Sequence, residues 1–354
     1  LKDGDASVQV SVTNVNGNAA SSAQAFSVDT TAPTVTINTI SGDNMLNAAE
    51  AAQDLTLSGT STAEAGQTVT VIFNGNQYTA QVQADGSWTL DVPAADLAGI
   101  TDGGVAVTAT VSDKAGNPAS AGSSVLVDTT VPQISFNIVA GDDIVNIAEH
   151  GQALIVSGKV TGAQAGDVIT VTLNGKDYTA MLDASGSWSV GVPAADVGAL
   201  VNGDQTISAT LTDKAGNSTT ATHEFDVSLT APVVAINTLA ADDVINATEK
   251  GQDLQVSGTS NQPEGTAITV SLNGINYTAT TDASGNWSVT VPAANVSALG
   301  EASYSVTASV TDTAGNSANT SHSVLVDSAL PQVTINAVAT DDVINAAEVA
   351  SGQT

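Results

Sequence analysis

A proline followed by an alternating apolar run recurs four times, as PTVTIN from Pro33, PQISFN from Pro132, PVVAIN from Pro232 and PQVTIN from Pro331, at spacings of 99, 100 and 99 residues. That period is too long for a solenoid repeat and suits one independently folding domain. Within the first full period seven strand signals follow one another: residues 33–38 (A), 55–61 (B), 68–73 (C), 77–82 (D), 87–92 (E), 105–112 (F) and 123–127 (G). Asn74-Gly75 and Asp85-Gly86 are hairpin-turn pairs between them. Seven short alternating strands in about 100 residues predict an all-β chain of tandem immunoglobulin-like sandwiches arranged end to end as a rod. The expected units are 1–29 (the end of one domain), 30–128, 129–228, 229–327, and 328–354 (the start of another). One tryptophan (Trp88, Trp188, Trp287) and one tyrosine (Tyr78, Tyr178, Tyr277) recur per repeat and read as core or inter-sheet packing. The stretch VPAADLAGI from Val92, echoed at Val192 and Val291, reads as one helical turn in the E–F crossover.

Charge narrows the function. The chain has 36 acidic residues against six lysines, a net charge of -30. Nucleic acid is thereby excluded as a partner, since phosphate contacts need clustered basic residues. Anionic membrane surfaces are disfavoured by the same repulsion. At 42% hydrophobic the chain is too apolar for a disordered acidic tail. There is no cysteine to crosslink small domains. No apolar run approaches the roughly 18 residues that span a bilayer, and Leu1 opens inside a folded pattern, as expected of a piece of a larger protein.

In an antiparallel sandwich successive turns alternate between the two ends. The A–B loop and the exit of strand G therefore share the end facing the next repeat, and the F–G loop faces the previous one. Three acidic groups converge on such a junction. Offsets from the anchor proline place Asp at +10, Asn at +14 and Glu at +17 of the A–B loop: Asp43, Asn47, Glu50; Asp142, Asn146, Glu149; Asp242, Asn246, Glu249; and Asp341, Asn345, Glu348. A second aspartate at +11 appears as Asp143, Asp243 and Asp342, with Asn44 in the first repeat. A linker aspartate stands four residues before the proline, as Asp29, Asp128 and Asp327, with Ser228 breaking the pattern. The F–G loops read DKAGN from Asp113 and Asp213 and DTAGN from Asp312.

Carboxylates within about 4 Å repel by roughly 4 kcal/mol per pair at an effective dielectric near 20, and six lysines cannot offset that. A calcium ion can, taking six to eight oxygens from carboxylates, amides and backbone carbonyls; magnesium, which prefers compact octahedra and retained water, suits the set less well. Turn geometry alone accounts for Ala-Gly-Asn. Glu at +17, read as having no turn role, points instead to a metal. Asp85, Asp183 and Asp282 of the D–E turns shift relative to their tryptophans and read as turn residues.

These residues resemble the bacterial Ig-like domain arrays of giant surface proteins exported by type I secretion, above all the biofilm-associated type and next the giant non-fimbrial adhesin type. The likeness runs the whole chain, through the VDTTAP linker, the D(D)xxNxxE loop and the DKAGN loop. It implies a secreted, cell-surface, monomeric rod with calcium at its domain junctions, whose partners are its own neighbouring Ig-like domains and, through other regions, surface glycans or like molecules. Ser228 and Asn44 depart from the pattern, so weaker calcium binding is expected there.

Two functions compete: a calcium-stiffened stalk segment, and an adhesion module that binds ligand directly. A direct site would be exposed, aromatic and outside the repeat. Tyr304 is the candidate, and its alternation in strand F assigns it to the core. An enzyme is the weakest reading: His150, His223 and His322 show no repeated acidic partner, and His223 and His322 read as solvent-facing strand positions.

Overall fold

Alternating Val, Thr, Ser and Ala favour pleated, half-buried strands over helices. The computed structural model describes residues 1–338 and 342–351, whose regular structure is mostly β-strand with a few short helical turns. Ahead of the first full repeat, β1 (Gly4–Thr13) and β2 (Ala19–Val28) form an antiparallel hairpin. The repeat itself comprises β3 (Met45–Asn47), α1 (Ala48–Ala51), β4 (Leu55–Thr60), β5 (Thr68–Phe73), β6 (Asn76–Gln81), β7 (Ser87–Val92), α2 (Ala94–Leu97), β8 (Gly103–Ser112) and β9 (Pro118–Asp128).

Two sheets face each other, one of order β3-β9-β8-β5-β6 and one of β4-β7. The A segment lies along β4 through Thr36 N to Thr60 O and Asn38 N to Ser58 O. Its pairing there is a single bridge, Val35 to Ser61. In the second and third repeats the same segment is a strand, Gln133–Phe136 and Val234–Ile236, whereas residues 331–336 form none. The unforeseen element is β3, a second piece of strand A that leaves β4 and pairs in parallel with β9, Met45 opposite Leu126. In the second and third repeats the larger sheet has the same order, and the smaller one gains the A strand at its edge.

The core lies between the sheets. Val69, Val71, Phe73, Trp88, Val92, Val107 and Val125 are all essentially inaccessible. Gly59 sits directly across from Trp88, and a Cβ there would stand 1.9 Å from Thr36 O and 2.6 Å from the indole. Only glycine leaves that space, and Gly158 and Gly258 face Trp188 and Trp287 in the same way. The tyrosines are half-buried at the margin: the Tyr78 hydroxyl donates to Asp96 of α2, and Tyr277 accepts from Asn295. Tyr304 packs against the core of the third repeat and accepts from Gly300 N. Asn74-Gly75 has both residues at positive φ, as a two-residue hairpin turn requires.

By contact density the chain divides into two units. One comprises Leu1–Asp143, Ala153–Pro193 and Gln205–Phe225; the other comprises Ile144–Gln152, Ala194–Asp204 and Asp226–Thr354.

Candidate functional site

The A–B loop closes on itself. Asn44, at φ 64, bonds Ile40 N through its side chain, and Asp43 accepts from Met45 N. After β3, Asn47 Oδ1 accepts from Ala49 N and Glu50 N, while Glu50 Oε2 accepts from Asn47 N. This is a reciprocal capping box, which satisfies helix-end donors that would otherwise lack partners. Asn146 with Glu149, Asn246 with Glu249, and Asn345 with Glu348 repeat it. Glu at +17 therefore does have a local role, contrary to the sequence reading; an Asn-x-x-Glu spacing is the signal for it. Asp242 accepts from Val244 N as Asp43 does from Met45, and Asp142 occupies the matching place in the second repeat. Asp341 lies outside the described residues.

The second aspartate points the other way, into its own repeat. Asp143 and Asp243, at φ 61 and 64, accept from Val139 N and Leu239 N. Each also bonds a histidine, His223 Nε2 at 2.7 Å and His322 Nε2 at 2.8 Å. The histidines are half-buried with a repeated acidic partner, which corrects their assignment to open solvent. Where the first repeat has Asn44, it has Ser123 in place of the histidine, so the pair changes as a unit. The His223 bond holds the Asp143 carboxyl below its usual value, as do the Leu239 amide and then His322 for Asp243.

In the F–G loops Asp113, Asp213 and Asp312 each accept the backbone N–H and the side-chain amide of the asparagine four residues on, Asn117, Asn217 and Asn316. The Asn117 amide lowers the Asp113 carboxyl. That asparagine then reaches into the preceding repeat. Asn217 Nδ2 donates to Asp128 O at 2.9 Å, and its Oδ1 accepts Ala48 N at 2.8 Å. Asn316 makes the same bonds to Ser228 O at 3.0 Å and from Ile147 N at 2.8 Å. Asn117 donates to Asp29 O. Ala48 N is the first amide of α1, so a neighbouring repeat satisfies a helix end. Gly216, at φ 92, and Gly315, at φ 84, lie so near Asn47 Nδ2 and Asn146 Nδ2 that a Cβ would stand 3.2 Å away. Asn217 and Asn316 are buried.

The residue that joins the three loops is thus the asparagine of the DKAGN motif, to which sequence reasoning assigns only a turn. A second clamp is equally invisible there. Asp102 accepts from Thr129 N and from the Thr129 and Thr130 hydroxyls, fixing the linker. Asp3 does the same for Thr30 and Thr31, Glu301 for Ser328, and Asn202 for Leu229 N.

Charge accumulates where the clamps meet. Burial first, then Asp213, Asp102 and Asp167, push the Asp128 carboxyl above its usual value, against one hydrogen bond from Thr130 N. Asp167 is itself buried. The donors available there are all oxygens, which matches calcium. Among the described residues no three His, Cys, Asp or Glu side chains gather closely enough to hold a metal. A cation beside Asp128 and Asp213 would therefore draw on backbone carbonyls as well. Asp327 occupies the matching linker position after the third repeat.

The family model described as a bacterial Ig-like domain matches residues 31–129, 156–229 and 237–328. The chain belongs to the bacterial Ig-like domain family. Solved structures similar to these Ig-like repeats include one bearing on host cell surface retention of a 1.5-MDa bacterial ice-binding adhesin. That match has 33% identity and a TM-score of 0.45, over 84% of this chain and 98% of that one. Another is a Ca2+-stabilized adhesin of an Antarctic bacterium, with 34% identity and a TM-score of 0.41 over 92% and 82%. A third is a single immunoglobulin-like domain of the M. primoryensis ice-binding adhesin, with 32% identity and a TM-score of 0.24 over 29% and 100%. No curated protein matches the chain.

Proposed function

We propose that these Ig-like repeats, bounded at 30–128, 129–228 and 229–327, are stalk segments of a secreted bacterial surface protein that serves adhesion or biofilm formation. In this reading calcium at the junctions stiffens the rod, and the chain carries out no catalysis. The source expected from the sequence is a type I-secreted array of the biofilm-associated type. The carrying observation is the asparagine clamp. Asn217 joins the F–G loop of one repeat to the A–B loop and linker of the repeat before it, and Asn316 does the same one repeat later. A bond set reproduced at successive joins transmits force along a chain, which a ligand pocket does not need. Asp128, desolvated among carboxylates, supports a cation at the first of these joins. Extracellular calcium, at roughly millimolar levels, would fill sites of modest affinity that empty in the cytoplasm. Thermal unfolding and small-angle scattering of the full chain test this. Calcium should raise the melting temperature and lengthen the particle relative to chelator; equal stability and equal length would refute it.

A further inference from the structure

The two joins between complete repeats share the asparagine clamp but not the charge around it. At the first, Asp102 holds the linker, Asp128 stands in it, Asp213 opens the F–G loop and Asp167 follows the B–C turn. The matching positions at the second are Asn202, Ser228, Asp312 and Thr266. Three of the four carboxylates have become neutral. Repulsion acts between pairs of charges, so a lone Asp312 has nothing at these positions to repel it.

The replacements also make bonds of their own. Ser228 accepts Asn316 Nδ2 through both its carbonyl, at 3.0 Å, and its hydroxyl, at 3.3 Å. Asn202 Oδ1 accepts Leu229 N at 2.7 Å, and Thr266 N donates to Thr281 Oγ1 at 3.0 Å. Ile147 N still donates to Asn316 Oδ1 at 2.8 Å, as Ala48 N does to Asn217. The mechanical part of the join is intact while the need for a counter-ion is gone, and a calcium ion would find one carboxylate there among four positions. Those residues do not fit the metal.

We propose that the join between the second and third repeats is cation-independent, so that calcium controls the hinge on one side of the second repeat and not on the other. This rests on the calcium reading above and gives the array a fixed joint next to a switchable one. A segment whose joints all answered to calcium would stiffen or slacken uniformly; this one would bend at one place when calcium falls.

The chain has no cysteine, so labels can be placed singly in the full-length protein. Spin labels on Thr89→Cys with Ser189→Cys report the first join, and on Ala195→Cys with Ser288→Cys the second; all four positions are exposed. Pulsed dipolar spectroscopy in saturating calcium and in excess chelator reads the distance distributions. The first pair should lose its narrow peak in chelator and the second should keep it. If both pairs lose it, the proposal is overturned and the calcium reading stands. If neither does, the calcium reading fails and takes the proposal with it. Introducing N202D, S228D and T266D together into the second labelled chain should confer the calcium response; a peak that stays narrow in chelator would show that these positions do not set it.

Discussion

Asn217 illustrates how much can rest on one amide. Replacing it with alanine removes a buried side chain, leaves Ala48 N and Asp128 O without that partner, and takes from Asp213 the side-chain bond while its bonds from Asn217 N and Ala215 N remain. Unmaking buried hydrogen bonds costs about 1–3 kcal/mol per orphaned group. Asn217→Ala is therefore expected to lower stability by roughly 2–3 kcal/mol in denaturant titration, and Asn117→Ala, at a half-buried site, by less. The pair of Asp143 and His223 makes a prediction in acid. The native Asp143 carboxyl is depressed by the His223 bond, so its contribution is fully present above the unfolded value near 3.8 and fades as pH falls through the lower native value. Asp143→Asn, which copies the Asn44 of the first repeat, should keep the bond to Val139 N and lose the carboxylate's bond to His223. Its stability deficit in acid-range melting curves should be present at pH 6 and shrink below about pH 4. A deficit that does not change with pH would oppose this assignment.

At the level of elements, the A–B segment is a strand, a cap and a helical turn joined by one Asn-Glu pair. Asn47 and Glu50 hold α1 by reciprocal bonds, and α1 presents Ala48 N to the next repeat. Removing an N-cap side chain costs about 1 kcal/mol. Asn47→Ala is expected to cost about that and to speed hydrogen exchange at Ala49 and Glu50. Capping predicts the same loss in calcium and in chelator, whereas a ligand role predicts a larger loss in calcium. The strands themselves are legible from alternation and turn residues. β3 is not, because three residues that pair in parallel with β9 at the edge of the larger sheet carry no periodic signal of their own.

For the whole molecule, a net charge of -30 means that screening and specific binding can be told apart. Sodium chloride shortens the Debye length to about 10 Å at 0.1 M and should relieve diffuse repulsion only slightly. Calcium at about 1 mM is expected to raise the melting temperature more than sodium chloride or magnesium of equal ionic strength. Equal effects of the three salts would leave screening as the whole explanation. The charge is also unevenly available, since Asp113 uses both carboxylate oxygens, and Asp143 and Asp243 one oxygen each, inside their own repeats. Counting acids in the sequence therefore overstates those free for an ion.

Repetition, alternation and turn chemistry are local, so the period, the β-sandwich strands, the buried tryptophans and the meeting of three loops at a join can all be read along the chain. Which oxygen faces which donor is not local. Asn217 and Ala48 are 169 residues apart, and Asp143 and His223 are 80 apart. The Glu50 cap is local and signalled by the Asn-x-x-Glu spacing, but it took folding in three dimensions to turn Asp143 into a histidine partner and Asn217 into the clamp, because a carboxylate or amide in a loop reads the same whether it awaits a metal, a side chain of another strand or a neighbouring backbone.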